Sequence, residues 1–301
     1  MTAPDDRALY GLEDADLAAH PTVFAPGLCA GRVVLVSGGG TGIGRAIAYL
    51  YARLGARVVI CGRRSEPLAE TAAGIHAAGG AEVLTQAMTI RDPEQVADLM
   101  ALVWQRCGGL DVLVNNAGGQ FAQDSLDYSV KGWRAVIDTN LNGTWYMMQQ
   151  AAQRWRDAGR GGAIVNIVVN IQRGTLQTTH SAAARAGVVY LSKSLAVEWA
   201  PLGIRVNCIA PGAIASPGLR NYSREAAERF RYANVMRRAG DVWDIAEAGV
   251  YLGSGAADFI TGEVLAVDGG YQMLGEIWAG GEPEYFARGR RAQRFSAPPD
   301  R

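Results

Sequence analysis

The tightest constraint on this chain is a glycine-rich turn between a short apolar run and a helical one. Ser37-Gly38-Gly39-Gly40-Thr41-Gly42-Ile43-Gly44 follows Val33-Val34-Leu35-Val36 and precedes Arg45-Ala46-Ile47-Ala48. Glycines at 38, 42 and 44 permit a tight turn, admit an anion to the backbone N–H groups, and let the next helix lie close to a sheet. The helix N-terminus adds unpaired donors and a positive dipole end, which suit a pyrophosphate. Strand, turn and helix in this order are the context that mechanism needs. Gly38, Gly40, Thr41, Gly42, Ile43 and Gly44 are therefore expected to hold a dinucleotide.

The rest of the chain keeps the same rhythm. Strand-like runs at 33–37, 57–61, 81–87, 110–115, 163–169, 205–210 and 264–267 alternate with amphipathic stretches. In one of these, Trp133, Val136, Ile137, Leu141, Trp145, Met148, Ala152 and Trp155 recur at spacings of three and four, a single helical stripe. Near-continuous apolar strands between helices imply right-handed βαβ units around a buried parallel sheet. The expectation is an α/β, Rossmann-type doubly wound parallel sheet in a single domain over roughly residues 28–272. Residues 1–27, with Pro4, Pro21 and Pro26, read as an irregular arm. Residues 273–301, with arginines at 288, 290, 291 and 294, read as a tail.

Charge and cysteine usage narrow the class of function. Lys and Arg total 29 against 29 Asp and Glu, which leaves no basic excess for nucleic acid. No apolar run approaches the length of a membrane span, and the start, Met1-Thr-Ala-Pro-Asp-Asp-Arg, lacks a secretory pattern, so a cytoplasmic protein is expected. Cys29, Cys61, Cys107 and Cys208 are scattered through apolar segments and read as reduced core thiols. Three histidines offer little for a metal site, and none is expected. The second strand ends Cys61-Gly62-Arg63-Arg64, with no acid for the adenosine ribose. Two guanidiniums there favour a 2′-phosphate, hence NADP(H); the alternative is a pair of solvated arginines at a helix start.

The spacing Gly38-x-x-x-Gly42-x-Gly44 resembles the short-chain dehydrogenase/reductase family, and four further segments agree. These are Asn115-Asn116-Ala117-Gly118, Asn140 within Thr139–Thr144, Arg205–Gly212 with Ser216 beyond it, and Val267-Asp268-Gly269-Gly270. The resemblance implies that Asn116, Ala117 and Gly118 line the adenine and ribose side. It also places Pro211, Gly212, Ile214 and Ser216 on the nicotinamide side and makes Asn140 catalytic.

One part of the family pattern is missing. The family's usual Tyr-x-x-x-Lys falls on Ser181 and Arg185, and its upstream serine on Val168 or Val169. Arginine can hold ribose hydroxyls, but it stays protonated and cannot relay a proton as lysine might. Without a phenol at that place, ordinary ketone reduction is disfavoured. The chain resembles most closely the enoyl-CoA and 2,4-dienoyl-CoA reductases of this family, through Asn115–Phe121, Lys131–Trp133, His180–Val188 and Ser194–Trp199. By that resemblance the thioester oxygen is held by Gln120 and, where the dienoyl-CoA branch has a tyrosine, by Asn170. A water, or Ser181, would protonate the α-carbon.

His180 reads as a possible acid or as a backbone-bonded helix-start residue. Tyr190 reads as packing, and Met147 and Met148 as core or subunit interface. Residues 217–238 match the family's substrate lid. Six arginines (220, 224, 229, 231, 237, 238) against Glu225 and Glu228 suit a CoA phosphate or a solvated face. Two alternatives stay open: a carbonyl or 3-oxoacyl reductase using Tyr222 or Tyr232, and a non-catalytic NADPH-binding scaffold. By resemblance the chain is a homotetramer acting on an acyl-CoA thioester.

Overall fold

A computed structural model describes residues 9–230 and 233–273. The tail from 274 onward, Arg231 and Tyr232 lie outside the described residues. Seven parallel strands build the main sheet: β1 (Val33–Ser37), β2 (Arg57–Gly62), β3 (Leu84–Ala87), β4 (Val112–Asn115), β5 (Gly162–Ile167), β6 (Ile204–Pro211) and β9 (Val264–Val267). They run in the order β3-β2-β1-β4-β5-β6-β9, so the chain reverses direction across the sheet at the β1/β4 boundary. In sheets of this kind ligands sit outside the carboxyl ends of the strands at that switch point. The two-residue strands β7 (Ile214–Ala215) and β8 (Gly240–Asp241) pair separately.

The expected strands stand where the sequence placed them, with ends shifted by one to three residues. The run at 81–87 pairs only from Leu84, at the sheet edge. That at 163–169 leaves the sheet after Ile167.

Alternate residues of each strand feed two cores. Val34, Val36, Val58, Ile60 and Val114 face α2 (Gly42–Arg53) and α9 (Val242–Gly253). Val33, Leu35, Val59 and Leu113 face α4 (Pro93–Cys107), α6 (Thr144–Asp157) and α7 (Thr179–Trp199). Burial on both faces is why the strands read as continuous apolar runs rather than alternating ones. Met147 and Met148 are fully buried in the second core. Tyr190 is 75% exposed on α7, contrary to its reading as packing. Helix α3 (Ser65–Ala77) completes the β2–β3 crossover.

The long tryptophan-bearing stripe is not one regular helix. It runs as α5 (Val130–Ile137), a π-helical stretch at Asp138–Gly143, and then α6. A π-turn inserts an extra residue into the helical repeat and frequently marks a functional site. Here it buries Asn140, 1% exposed, while Trp133 at the start of the stripe stays 39% exposed.

The N-terminal arm also departs from expectation. Asp14–Ala19 form a helix, α1, with Asp14 and Asp16 in its first turn. Asp14 pairs with Arg45 at 2.6 Å, and Arg53 donates to the carbonyls of Leu17 and His20 at 3.0 and 2.8 Å. The Trp243 indole donates to the Pro21 carbonyl at 3.0 Å. Leu17 is 1% exposed and belongs to the first core. Proline spacing gave no hint of this, because the docking partners lie on α2 and α9. Leu17→Ala is predicted to destabilise the fold by about 2–4 kcal/mol, the usual cost of emptying a buried leucine site. Urea denaturation measures it; an unchanged midpoint would mean that the arm is not part of the core.

Candidate active site

The glycine turn opens a cleft of about 350 Å³ at the β1/β4 switch point. Gly38, Gly40, Thr41, Gly42, Ile43, Arg63, Arg64, Asn116, Ala117, Gly118 and Ser216 all line it. Gly44 lets α2 start against the turn, since a Cβ there would sit 2.3 Å from the Gly38 carbonyl oxygen. Gly42 has φ +56°, and a Cβ there would meet only Ser216 and Pro217, each at 3.8 Å. A side chain would therefore project into the cleft, which makes the turn a cradle left clear for a phosphate. Arg63 and Arg64 have no carboxylate partner among the described residues.

Buried polar bonds fix the turn against the chain leaving β4. The Ser37 hydroxyl accepts the N–H groups of Asn116 and Ala117 at 3.1 and 3.0 Å. The Asn116 amide donates to the Ser37 and Gly38 carbonyls at 3.0 and 3.2 Å. Asn116 thus braces the cradle. Ser37 escaped the sequence reading; a hydroxyl closing an otherwise apolar strand was the available signal. Deeper, Asn115 donates to Asn166 at 2.9 Å, and Asn166 donates to Ser192 at 2.9 Å, tying β4, β5 and α7 together.

Asn140 joins the helices to the site. Its carboxamide oxygen accepts Gly119 N–H, and its nitrogen donates to Gly119 O, both at 3.0 Å. The same nitrogen donates to the Ser181 hydroxyl at 3.2 Å. Gln120 follows directly, and its amide donates to the Tyr222 hydroxyl at 2.6 Å. Ser181 and Arg185 lie one turn apart on α7 and are both buried. A Cβ on Gly118 would collide with the Arg185 guanidinium, so that glycine is what lets the cation approach. Arg185 Nη1 is buried with no partner. Desolvation pushes this guanidinium down to about 10, which still leaves it charged at neutral pH. A buried cation with an unused donor beside the cleft fits a ribose hydroxyl, as a nicotinamide dinucleotide would present.

The remaining expected residues fall elsewhere. Asn170 is drawn away from Gln120: its amide donates to Asp268 at 2.7 Å and to Gln272 at 3.4 Å. Both donor hydrogens are thereby engaged, which removes the basis for pairing it with Gln120. Val168 packs with Val188, Val189 and Cys208, away from the site. Pro211 ends β6, while Gly212 and Ile214 line a separate cavity of about 410 Å³. The Ile214 side chain is in the core, leaving its backbone as the part able to meet a cofactor. His180 is a buried helix-start residue whose Nδ1 accepts the Ser181 N–H at 2.9 Å; its ring stacks on Tyr128 at 4.6 Å.

The basic stretch at 217–238, expected as a lid, is largely neutralised where it is described. Arg224 pairs with Glu228, Arg229 with Glu225 and Arg238 with Asp244, at 3.2, 2.8 and 3.1 Å. Arg220 covers the Tyr10 ring at 4.9 Å. These contacts favour the solvated-face alternative over a docking patch for CoA phosphates.

A glycine cradle at the switch point of a 3-2-1-4 parallel sheet, with Asn140 and a buried cation beside it, defines a nicotinamide-dependent oxidoreductase. Residues 38–272 match the family model described as enoyl-(acyl carrier protein) reductase, and the chain belongs to the short-chain dehydrogenase/reductase family. It is 35% identical over 266 residues to a rat peroxisomal 2,4-dienoyl-CoA reductase, covering 87% of this chain and 90% of that one. It is 36% identical over 244 residues to a probable 2,4-dienoyl-CoA reductase of Bacillus subtilis, covering 79% of this chain and 96% of that one. Among solved structures it resembles a citronellol catabolism dehydrogenase of Pseudomonas aeruginosa, with TM-score 0.75 and 36% identity, covering 83% of this chain and 99% of that one.

Burying an unpaired guanidinium opposes folding at every pH below about 10, and that penalty lifts only as the pH rises through this value. Arg185→Met is accordingly predicted to gain about 1–3 kcal/mol of stability at pH 7. The same variant should lose about tenfold or more in dinucleotide affinity, because a charged donor is gone. Thermal melting and a fluorescence titration of the reduced cofactor check the two halves. Reduced stability with unchanged affinity would contradict this role.

Proposed function

We propose that this protein is an NADPH-dependent reductase of a conjugated C=C bond, acting on a 2-enoyl- or dienoyl-CoA thioester. The observation that carries the reading is Asn140, which holds the backbone of Gly119 just before Gln120 and donates to Ser181 on the helix that also bears Arg185. The similarity to 2,4-dienoyl-CoA reductases points the same way. We assign Ser181 and Arg185 to the positions of the family's tyrosine and lysine.

When bound, the reduced nicotinamide supplies a hydride to the β-carbon. Negative charge then grows on the thioester oxygen as an enolate forms, and a neutral donor already aimed at it lowers the barrier. Gln120 has two amide hydrogens, one engaged by Tyr222 and one left for that oxygen. Asn140 acts by holding the Gly119 backbone and thereby Gln120. Ser181 accepts from Asn140, and no acceptor among the described residues takes its own hydroxyl hydrogen. It can therefore orient the water that protonates the α-carbon; a serine is too weak an acid to do so itself. Arg185 serves binding, since at about 10 it remains a cation through neutral pH.

NADPH is favoured by Arg63 and Arg64 on the cleft wall, with no acid at the end of β2. The four free cysteines suit a reducing compartment, and we place the protein in the cytoplasm. We further propose a homotetramer: Tyr190 and Val197, 75% and 80% exposed on α7, provide an apolar outer face.

Wild-type protein is predicted to oxidise NADPH with crotonyl-CoA or a longer 2-enoyl-CoA. Replacing Arg63 and Arg64 by alanine should weaken NADPH binding about 10- to 100-fold while leaving NADH binding nearly unchanged. Equilibrium titration of both cofactors tests the specificity. An equal effect on the two would remove the case for a 2′-phosphate site.

A further inference from the structure

His180 is fully buried beside Ser181, yet conjugate reduction gives it no step. We propose that His180 is a positioning residue, a second brace that sets the spacing between Gln120 and Ser181. This role rests on the conjugate-reduction reading and adds to it a ring that, closed off from solvent, reaches neither substrate nor cofactor.

Helix α7 starts without a side-chain cap. Thr178 holds the N-cap position, but its hydroxyl makes no cap bond and turns to the Leu176 carbonyl at 3.4 Å. The first N–H groups of a helix find no acceptor within it. Here His180 Nδ1 accepts the Ser181 N–H at 2.9 Å, shared with the Thr178 carbonyl at 3.0 Å. Shared bonds of this kind are common at helix ends. An Nδ1 that accepts carries no hydrogen, so the ring's proton is on Nε2. That atom is buried with no partner, which costs free energy. A phenylalanine would fill the same space without stranding a donor. What it could not supply is the acceptor.

The same ring packs against the loop that carries Gln120. Phe121 meets it edge-on with ring centres 4.5 Å apart, and Tyr128 stacks on it at 4.6 Å. Aromatic pairs at these distances attract and favour particular angles. Phe121 also abuts Gly132, where a Cβ would lie 3.0 Å from the ring. The Tyr128 hydroxyl donates to the Gln177 carbonyl at 3.0 Å, and Gln123 N–H donates to the same oxygen at 3.0 Å. Loop and pre-helix segment are thus clasped around His180.

Gln120 therefore sits between two ties, Gly119 bonded to Asn140 and Phe121 packed on His180. Ser181 is held by the same two residues, its hydroxyl by Asn140 and its backbone by His180. One tie alone would let the loop pivot against the helix; two fix their separation. A misplacement of about 1 Å can cost about 100-fold in rate.

The test sets rate against stability. His180→Phe keeps an aromatic ring, loses the acceptor and removes the stranded donor. It should melt at or above the wild-type temperature, bind NADPH as the wild type does, and lose about tenfold in kcat with crotonyl-CoA at nearly constant KM. His180→Asn puts an acceptor near the Nδ1 position but gives up the ring packing. It should melt lower yet keep kcat within about threefold of wild type. His180→Gln reaches only the Nε2 position and should lose rate as the phenylalanine variant does, which serves if that variant does not fold. Rates that follow melting temperature instead, with His180→Phe active and His180→Asn impaired, would overturn the assignment. Hydrogen exchange gives a readout without turnover: in His180→Phe it should quicken over 119–124 and 179–186 while the sheet stays protected. If the wild type reduces no enoyl- or dienoyl-CoA and that exchange change appears, conjugate reduction falls and the brace stands. Unchanged exchange with wild-type kcat in His180→Phe would remove the brace and leave conjugate reduction standing.

Discussion

The pair of hydrogen bonds between the Asn140 side chain and the Gly119 backbone is the contact on which the site depends. A carboxamide that meets both polar groups of one peptide residue fixes a loop as a strand ladder would, and here it does so inside the protein. The cost is a π-turn at Asp138–Gly143, partly offset by the Thr144 hydroxyl, which donates to the Asn140 carbonyl at 3.0 Å. Removing Asn140 would leave Gly119 N–H and C=O without these partners and Ser181 without its donor, a loss that buried polar groups tolerate poorly.

From that contact the rest of the site follows by adjacency. On one side Gly118 makes room for Arg185, and Asn116 and Ala117 hang from Ser37, which closes β1 just before the glycine turn. On the other side Gln120 reaches Tyr222, at the end of the 3-10 turn Pro217–Asn221. The glycine turn, the buried cation and the Gln120 amide are therefore set by one stretch of backbone leaving β4. The arm adds a further tie, since α1 is anchored on the helix that starts at the glycine turn while Leu9 and Tyr10 pack with Leu219 and Tyr222.

Local patterns in the sequence carried the fold and gathered most of the residues expected at the cofactor along one cleft. A parallel sheet buried on both faces leaves its strands as unbroken apolar runs, and a phosphate cradle needs glycines at fixed offsets; both signals are short-range. The errors came where a residue's role is decided by a distant partner. Asn170 looked like a free donor until Asp268, 98 residues away, claimed its amide. The α1 arm was hidden because Leu17, Arg53 and Trp243 meet only in the folded chain. The lid arginines were legible in principle, since Arg224–Glu228 and Glu225–Arg229 are helical pairs four residues apart.

The central claim is that the pocket stabilises charge on a thioester oxygen while hydride lands two carbons away. Turnover of a 2-enoyl-CoA with NADPH deuterated at the transferring position, followed by mass spectrometry and NMR of the acyl product, tests this most directly. The account predicts one deuterium at the β-carbon and a solvent-derived proton at the α-carbon. Deuterium found only on the carbinol carbon of a 3-hydroxyacyl product, formed from a 3-oxoacyl-CoA, with the enoyl-CoA recovered unlabelled, would contradict it.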